Sequence, residues 1–510
     1  MKKILSLSLT LIMIATLLLA CAPKEESKPD ASAKPDTQDT VIVANRREPK
    51  TLNPHASNDT GTAFVTQLMY DTLITFDKDM QFQPNLATKW EKVNDTLYRF
   101  ELRKDVVFHN GDKFTAQDVL NTFELAGKAP ASASTLGVID IGASKAVGDY
   151  TVELALSKPY APFLNVMALS ISAIVNKKAI EEAGDKYNEN PVGTGPFSYK
   201  SWKTGDMMEL TAFDKYWGQK ANFDNLIIRL IPEATTRAIE VETGGVDMAL
   251  GIVDNDAKKF RDNPNVSTIS SNILNTSYLS FNCSKEPFNN TKVRQAITHA
   301  IDAATIVNNS TFGLAEQSFS VIAPGVFGYH NPGVKFEYNV DKAKALLTEA
   351  GYPDGFKTTL TVNGDAMAAE MIQNMLKQIG ITVEIKSVDF ANWLDALVNG
   401  KQEMYIGGWT VPSADAAEGL EAFHSANHGS GGNRSFYTNH ELDGILEAAA
   451  SELDSAKRLE LYKQAQEMIA NEAVYVNFKV GQTHVVTKPN IENVYVMPTQ
   501  DIKLWLLSFK

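Results

Sequence analysis

The chain has 510 residues, 44% of them hydrophobic, and a formal charge of −13 at pH 7 from 61 acidic and 48 basic side chains. An acidic surface repels phosphate backbones and anionic lipid, which argues against nucleic acid or a charged bilayer face as partner. Two cysteines cannot build a disulfide framework, and the length exceeds what one hydrophobic core supports, so at least two lobes are expected.

The first twenty residues predict a cleaved targeting segment. Lys2 and Lys3 precede a mostly apolar run, Ile4 to Leu19, which is the pattern of a secretory signal peptide and too short for a permanent span. The run closes as Leu18-Leu19-Ala20-Cys21, which resembles the lipobox of bacterial lipoproteins. That resemblance implies cleavage before Cys21 and diacylation of its thiol. The bland alternative is a chance cysteine beside an ordinary cleavage site. Loss of Lys2 and Lys3 takes the mature charge to −15. Residues 21–40 are polar and lack an aromatic side chain, so they cannot bury enough surface to fold and are expected to be a tether.

From Val41 to Phe223 the chain shows short strand-like runs, such as Leu97 to Leu102 and Thr151 to Leu156, with few helices. Asn222 to Ile231 then reads as a strand and Ala234 to Thr243 as a helix. Cys283, after the apolar run from Tyr278, is expected to be a small buried residue. In 341–409 helices and strands alternate. Asp341 is the expected cap of a helix stopped by Gly351. Lys357 to Val362 is a strand, Met367 to Ile379 a helix, Ile381 to Ile385 a strand and Phe390 to Val398 a helix. Met404 to Ile406 then leads into Gly407-Gly408-Trp409. Such crossovers predict a largely parallel sheet, whose ligands sit beyond the carboxyl ends of the strands. Trp409 is expected there. Residues 474–510 are strand-rich, and we expect them to return to the first lobe, so that two strands cross between lobes.

No catalytic signature is present: no H-E-x-x-H, no G-x-S-x-G and no phosphate-binding lysine loop. An exported hydrolase would need such a group. His424 and His428 stand four apart, yet no third ligand is evident and glycine follows, so they are read as surface or pocket-rim residues. No metal and no cofactor is expected. Gly193-Thr194-Gly195-Pro196 is too short for a dinucleotide fingerprint and reads as a turn.

A longer pattern is more specific. Ala87 to Trp90, Tyr98 to Arg103, Phe108-His109-Asn110-Gly111 and Thr115 to Val119 stand in order within Pro84 to Glu124. Val192 to Phe197, Asp214 to Trp217 and Phe288 to Ile297 follow. Together they resemble family 5 of the bacterial solute-binding proteins, the dipeptide, oligopeptide and nickel group that serves ABC importers. The resemblance covers essentially all of 41–510. Local chemistry agrees, since His109-Asn-Gly-Asp suits a tight turn and Thr115 suits the cap of a helix starting at Ala116.

The resemblance implies an α/β, two-lobed periplasmic-binding-protein-like fold (type II, cluster C) with an extra subdomain in the first lobe. Lobe I would comprise 41–275 plus 485–510, with the inserted subdomain spanning about 85–210, and lobe II 276–484. It also implies a monomeric, non-enzymatic receptor that closes on a peptide and delivers it to ABC transporter permease subunits. Other solutes of the family, such as glutathione, an opine, a metal chelate or a small oligosaccharide, stay open, as does a peptide-pheromone receptor.

The same resemblance nominates contacts. Gly408-Trp409-Thr410 aligns with a glycine-tryptophan-small triplet that pairs with peptide backbone. Asn58-Asp59-Thr60 matches a ligand loop of the first lobe. Tyr278, Asn282, Tyr475 and Asn477 fall where interlobe segments pass the pocket. Well-studied peptide binders place an aspartate three residues after the tryptophan; here that residue is Pro412. Asp415 stands where a glutathione-type and longer-peptide subgroup has its first acid, while Ala417 replaces the second. Asp415 with Glu418 reads equally well as a capping box opening helix 416–423. Arg434 is a candidate holder of a carboxylate terminus, or else a solvated arginine.

Overall fold

The computed structural model describes residues 39–57, 59–364 and 366–510. The expectations for the signal peptide, for Cys21 with nearly all of the tether, and for Asn58 lie outside the described residues. The fold centres on a ten-stranded mixed sheet. In spatial order its strands are Thr382–Ser387, Lys357–Val362, Met404–Thr410, Ser267–Phe281, Tyr475–Thr487, Met248–Ile252, Thr40–Asn45, Asn225–Leu230, Met207–Ala212 and Phe197–Lys203.

Thr382–Ser387, Lys357–Val362 and Met404–Thr410 pair in parallel, as the alternation of helix and strand predicts. The sheet as a whole is not largely parallel. Met404–Thr410 meets Ser267–Phe281 antiparallel, and that strand meets Tyr475–Thr487 antiparallel.

These two strands join the halves of the sheet. Ser267 to Asn272 pair with Gln482 to Thr487 beside Met248–Ile252, whereas Tyr278 to Ser280 pair with Tyr475 to Asn477 beside Met404–Thr410. Between these stretches the register shifts at Asn272/Thr276 and Thr276/Tyr278. Distinct cores flank the joint. Leu279, Val293, Leu360, Ile372 and Val476 pack in one half. Val41, Leu68, Leu226, Val485 and Leu504 pack in the other, so residues from the C-terminal segment share a core with Val41 and Leu68.

A second, antiparallel sheet of four strands orders as Ala87–Asn94, Leu97–Leu102, Thr151–Leu156 and Ile139–Ala146. Its core draws on residues from Leu73 to Val192. Strands Phe197–Lys203 and Met207–Ala212 belong instead to the main sheet. Two of the motifs explain the junction. His109 Nε2 donates to the Gly195 carbonyl at 3.0 Å, and Gly193 N donates to His109 Nδ1 at 3.3 Å. A Cβ at Gly193 or Gly195 would come within 2.0 and 2.5 Å of the Met69 backbone, so only glycine lets this turn lie against the helix Thr60–Met69. Asp71, fully buried in the same junction, is pushed up to about 6 by burial, against hydrogen bonds from Trp217, Thr194 and Tyr216.

Caps follow side-chain chemistry. Thr115 caps Ala116–Lys128 in a capping box with Asp118. Asn339, not Asp341, caps Val340–Glu349: its side chain accepts from Lys342 N, which leaves Asp341 in the first turn. Cys283 carries a free thiol and is only partly buried, lying between two cores. Burial pushes its pKa up to about 11. Among the described residues no helix is long and apolar enough to cross a membrane.

Candidate functional site

An open cleft of about 1460 Å³ lies across the joint, with walls from both halves of the sheet and from the four-stranded subdomain. The first wall begins at Thr40–Asn45. Val41, Val43 and Ala44 are completely buried, with parallel neighbours on both sides, so the polar residues at its carboxyl end are delivered to the cleft. These are Arg46 and Arg47. Arg47 donates to Thr60 Oγ1 at 3.2 Å, while burial and the neighbouring Arg47 charge pull the Arg46 pKa down. No ion pair holds either guanidinium among the described residues.

The facing wall is acidic. Pro412 and Ser413 turn the chain after Met404–Thr410, and Glu418 Oε2 accepts from Ser413 N at 3.0 Å. Burial raises the Glu418 pKa, as do the charges of Glu421 and Asp415. Burial likewise raises Glu421, which also lines the cleft. Tyr160 comes from the subdomain, its phenol raised by burial and by the charges of Glu421, Asp415 and Glu418. Cationic and anionic groups thus share one cavity, an arrangement complementary to a ligand with an ammonium and a carboxylate.

Gly408, Trp409 and Thr410 end a strand whose pairing is one-sided. Thr410, Trp409 and Gly408 pair with Asn275, Thr276 and Ser277, but the neighbour Lys357–Val362 pairs no further than Tyr405. Gly407 to Thr410 therefore have no strand neighbour on that side, which leaves main-chain groups for an added extended peptide. Thr410 lines the cleft. Trp409 is half-buried behind it, not on the open wall: a Cβ on Gly432 would sit 3.1 Å from its Cη2, and the Arg434 guanidinium lies 5.5 Å from its ring centroid.

Several nominated residues take structural posts. Asp59 caps Thr60–Met69: Oδ1 accepts from Gly61 N and Thr62 N, and Oδ2 from Ser57 and Thr62 hydroxyls. Partial burial pushes its pKa up, but these bonds outweigh it and hold the carboxylate below its ordinary value. Thr60 beside it does line the cleft. Asn282 is fully buried, its Nδ2 donating to the Gly400 and Gln402 carbonyls at 3.1 Å each, so it braces a turn away from the cleft. Tyr278 and Tyr475 are buried and stacked, their ring centroids 3.8 Å apart.

Asp415 is completely buried. It caps Ala416–Leu420 by accepting from Ala417 N at 3.0 Å, accepts from the Tyr462 hydroxyl at 2.6 Å, and ion-pairs with Arg458 at 3.3 Å. The expected reciprocal box does not form, because Glu418 bonds Ser413 N instead of Asp415 N. Asp415 anchors the loop that presents the acidic wall, while the acids that line the cleft are Glu418 and Glu421. Their signal was legible: two carboxylates one helical turn apart, directly after the Pro412 turn. Arg46 and Arg47 were legible too, as two charges ending a buried strand. Of the spaced histidines, His428 Nε2 lies 3.1 Å from the Tyr437 carbonyl, and His424 faces Asp443 and Glu447. Among the described residues no group of three or more His, Cys, Asp or Glu is placed to hold a metal ion.

This fold and cleft define a two-lobed solute-binding protein. The family model described as bacterial extracellular solute-binding proteins, family 5, matches residues 81–431, and the chain belongs to that family. The glutathione-binding protein GsiB of Salmonella choleraesuis is 30% identical over 473 residues, covering 90% of this chain and 92% of that protein. Among solved structures, DppA of Helicobacter pylori in complex with the peptide STSA superposes with a TM-score of 0.79 at 29% identity, over 92% of this chain and 98% of that one. The oligopeptide-binding protein AppA of Bacillus subtilis, in complex with a nonapeptide, gives 0.77 at 26% identity over 92% and 99%.

Proposed function

We propose that this chain is the lipid-anchored substrate-binding component of an ABC importer, that it captures peptides in the cleft, and that it hands them to the membrane permease. It has no catalytic role in this reading. The observation that carries the reading is the one-sided edge of Gly407 to Thr410 in a cleft with an acidic and a basic wall. Main-chain pairing along that edge would ignore ligand sequence, and the two walls would hold opposite charges of a zwitterion. Lobe I would be 41–275 with 485–510, carrying the subdomain, and lobe II 276–484, hinged where the two long strands shift register. Thr60, Gly408 and Thr410 would touch the ligand, and so would Arg46, Glu418 and Glu421. A second reading, with glutathione as the solute, is favoured by the likeness to GsiB, and glutathione is itself a small peptide.

A denaturing mass spectrum of the protein extracted from its own membranes tests both halves of the proposal. The chain should begin at a diacylated Cys21, and low-mass peptides should be released in near-stoichiometric amount. An unmodified or uncleaved N-terminus removes the anchor. Release of a non-peptide solute removes the peptide reading and leaves the transport role.

A further inference from the structure

The four-stranded subdomain touches the opposite half of the fold directly, through contacts that neither of the two long strands provides. Its segment Lys158-Pro-Tyr-Ala-Pro162 runs into the short helix Phe163–Met167. Phe163, Val166 and Met167 fall on one helical face and are buried in the subdomain's own core. Asn165 falls off that face. Its Nδ2 donates to the Ser413 carbonyl at 2.8 Å, a buried bond between residues 248 apart in the chain. Nearby, Ala161 N donates to the Ala450 carbonyl at 3.1 Å. Ala450 lies in the last turn of the helix His440–Ser451, whose final carbonyls have no partner within the helix. An amide from the subdomain satisfies one of them. Ala168 and Phe82 complete the seam, each packed against both the subdomain core and the core that holds Val411 and Leu442.

The two sides of this seam are suited to meeting and parting as units. The donor side is stiff. Pro159 and Pro162 fix their own φ and hold the residues before them, Lys158 and Ala161, to extended backbone, so Ala161 presents its N–H at little entropic cost. The acceptor side is tied to the acidic wall. The Ser413 carbonyl accepts from Asn165 while the Ser413 N–H donates to Glu418 Oε2 at 3.0 Å. Ser413, Glu418 and Tyr160 line the cleft, whereas Asn165 does not. In an opened cleft the polar groups of the seam meet water instead. Each bond then carries only its modest net value, as a reversible contact requires.

We propose that Asn165 is a positioning residue that latches the cleft. It seats the subdomain on the loop 411–415 when the two halves close over a solute, and so retains the solute without touching it. The proposal rests on the solute-binding reading, which supplies the closing motion. The closed state is then gripped by the subdomain, which gives this extra sheet a part in retention separate from ligand recognition.

Stopped-flow binding of trialanine and of glutathione to the mature chain tests it, with wild type and Asn165→Leu. Leucine keeps the size, removes the donor and leaves the Ser413 carbonyl unpaired on closing. Dissociation should quicken about 5- to 100-fold, by the same factor for each of the two solutes that binds, with association unchanged. Unchanged dissociation overturns the latch. So does a factor that differs between the solutes, because Asn165 would then touch the ligand. Should the variant fail to fold, hydrogen exchange reads the seam in wild type. Saturating solute should slow the Ala161 amide about tenfold or more, and an unaltered rate overturns the proposal. If wild type binds neither solute, the functional reading fails separately, and scattering by the solute-free proteins decides. Asn165→Leu should have the larger radius of gyration, and equal radii overturn the latch.

Discussion

Arg458→Met should lower stability by about 3–5 kcal/mol, because it leaves the Asp415 carboxylate buried without its cation. Asp415 is completely buried, and Arg458 is only 10% exposed in its side chain, so water cannot replace either partner. Arg458 also lies 4.5 Å from the Phe327 ring centroid, and that packing is lost too. Asp415→Asn separates the roles. Asparagine is nearly as good a helix cap as aspartate, so a pure cap would tolerate it. Here it strands Arg458 instead, and urea midpoints should fall for both variants. A midpoint for Asp415→Asn equal to wild type would show that the ion pair contributes nothing. Because Asp415 positions the loop that carries Glu418, the variants should also weaken peptide binding.

Acid should destabilise the first half of the fold between pH 6.5 and 4. Burial pushes both His55 and His109 down to about 4, against a hydrogen bond to a carbonyl in each case, Ala173 for the first and Gly195 for the second. An unfolded histidine titrates near 6.5, so in that window the unfolded chain binds protons that the native chain refuses. Their contribution is present above about pH 6.5 and lost as pH falls through about 4, ~3 kcal/mol for each. Asp71 runs the other way. Raised to about 6, it favours the native state below its unfolded value near 4, and that contribution is lost as pH rises through 6. It offsets about one histidine. His109→Gln can keep a donor toward Gly195 without the titration, so its urea midpoint should change less between pH 7 and 4.5 than that of wild type. Equal slopes would show that His109 is not held neutral.

What could be read from the residues divides by the range of the interaction. Helices and strands with a clear period were legible: Phe390–Val398 has the expected bounds, and Leu97–Leu102 and Thr151–Leu156 are strands as expected. So were the His109 turn and the Gly193 turn as separate local motifs, but not the bond between them, which spans 86 residues to Gly195. The mixed character of the sheet was missed for the same reason, since antiparallel partners as far apart in the chain as Phe281 with Met404 and Ser267 with Thr487 leave no local mark. Of the residues that family likeness nominates, Thr60 and Thr410 line the cleft and Trp409 lies behind it. Asp415 and Asn282 are buried among partners, Arg458, Tyr462 and Gln402, that come from distant segments. An aspartate followed by a helix looks the same whether its second oxygen meets solvent, a ligand or a buried arginine.

The central claim is that a peptide bridges the two walls of the cleft and draws them together about the two long strands. Small-angle scattering of the mature chain, with and without a peptide shown by calorimetry to bind, tests this most directly. The account predicts a smaller radius of gyration at saturating peptide, and no such change when Glu418 and Glu421 are both replaced by glutamine at the same peptide concentration. A radius unchanged by saturating peptide in the wild type would contradict it.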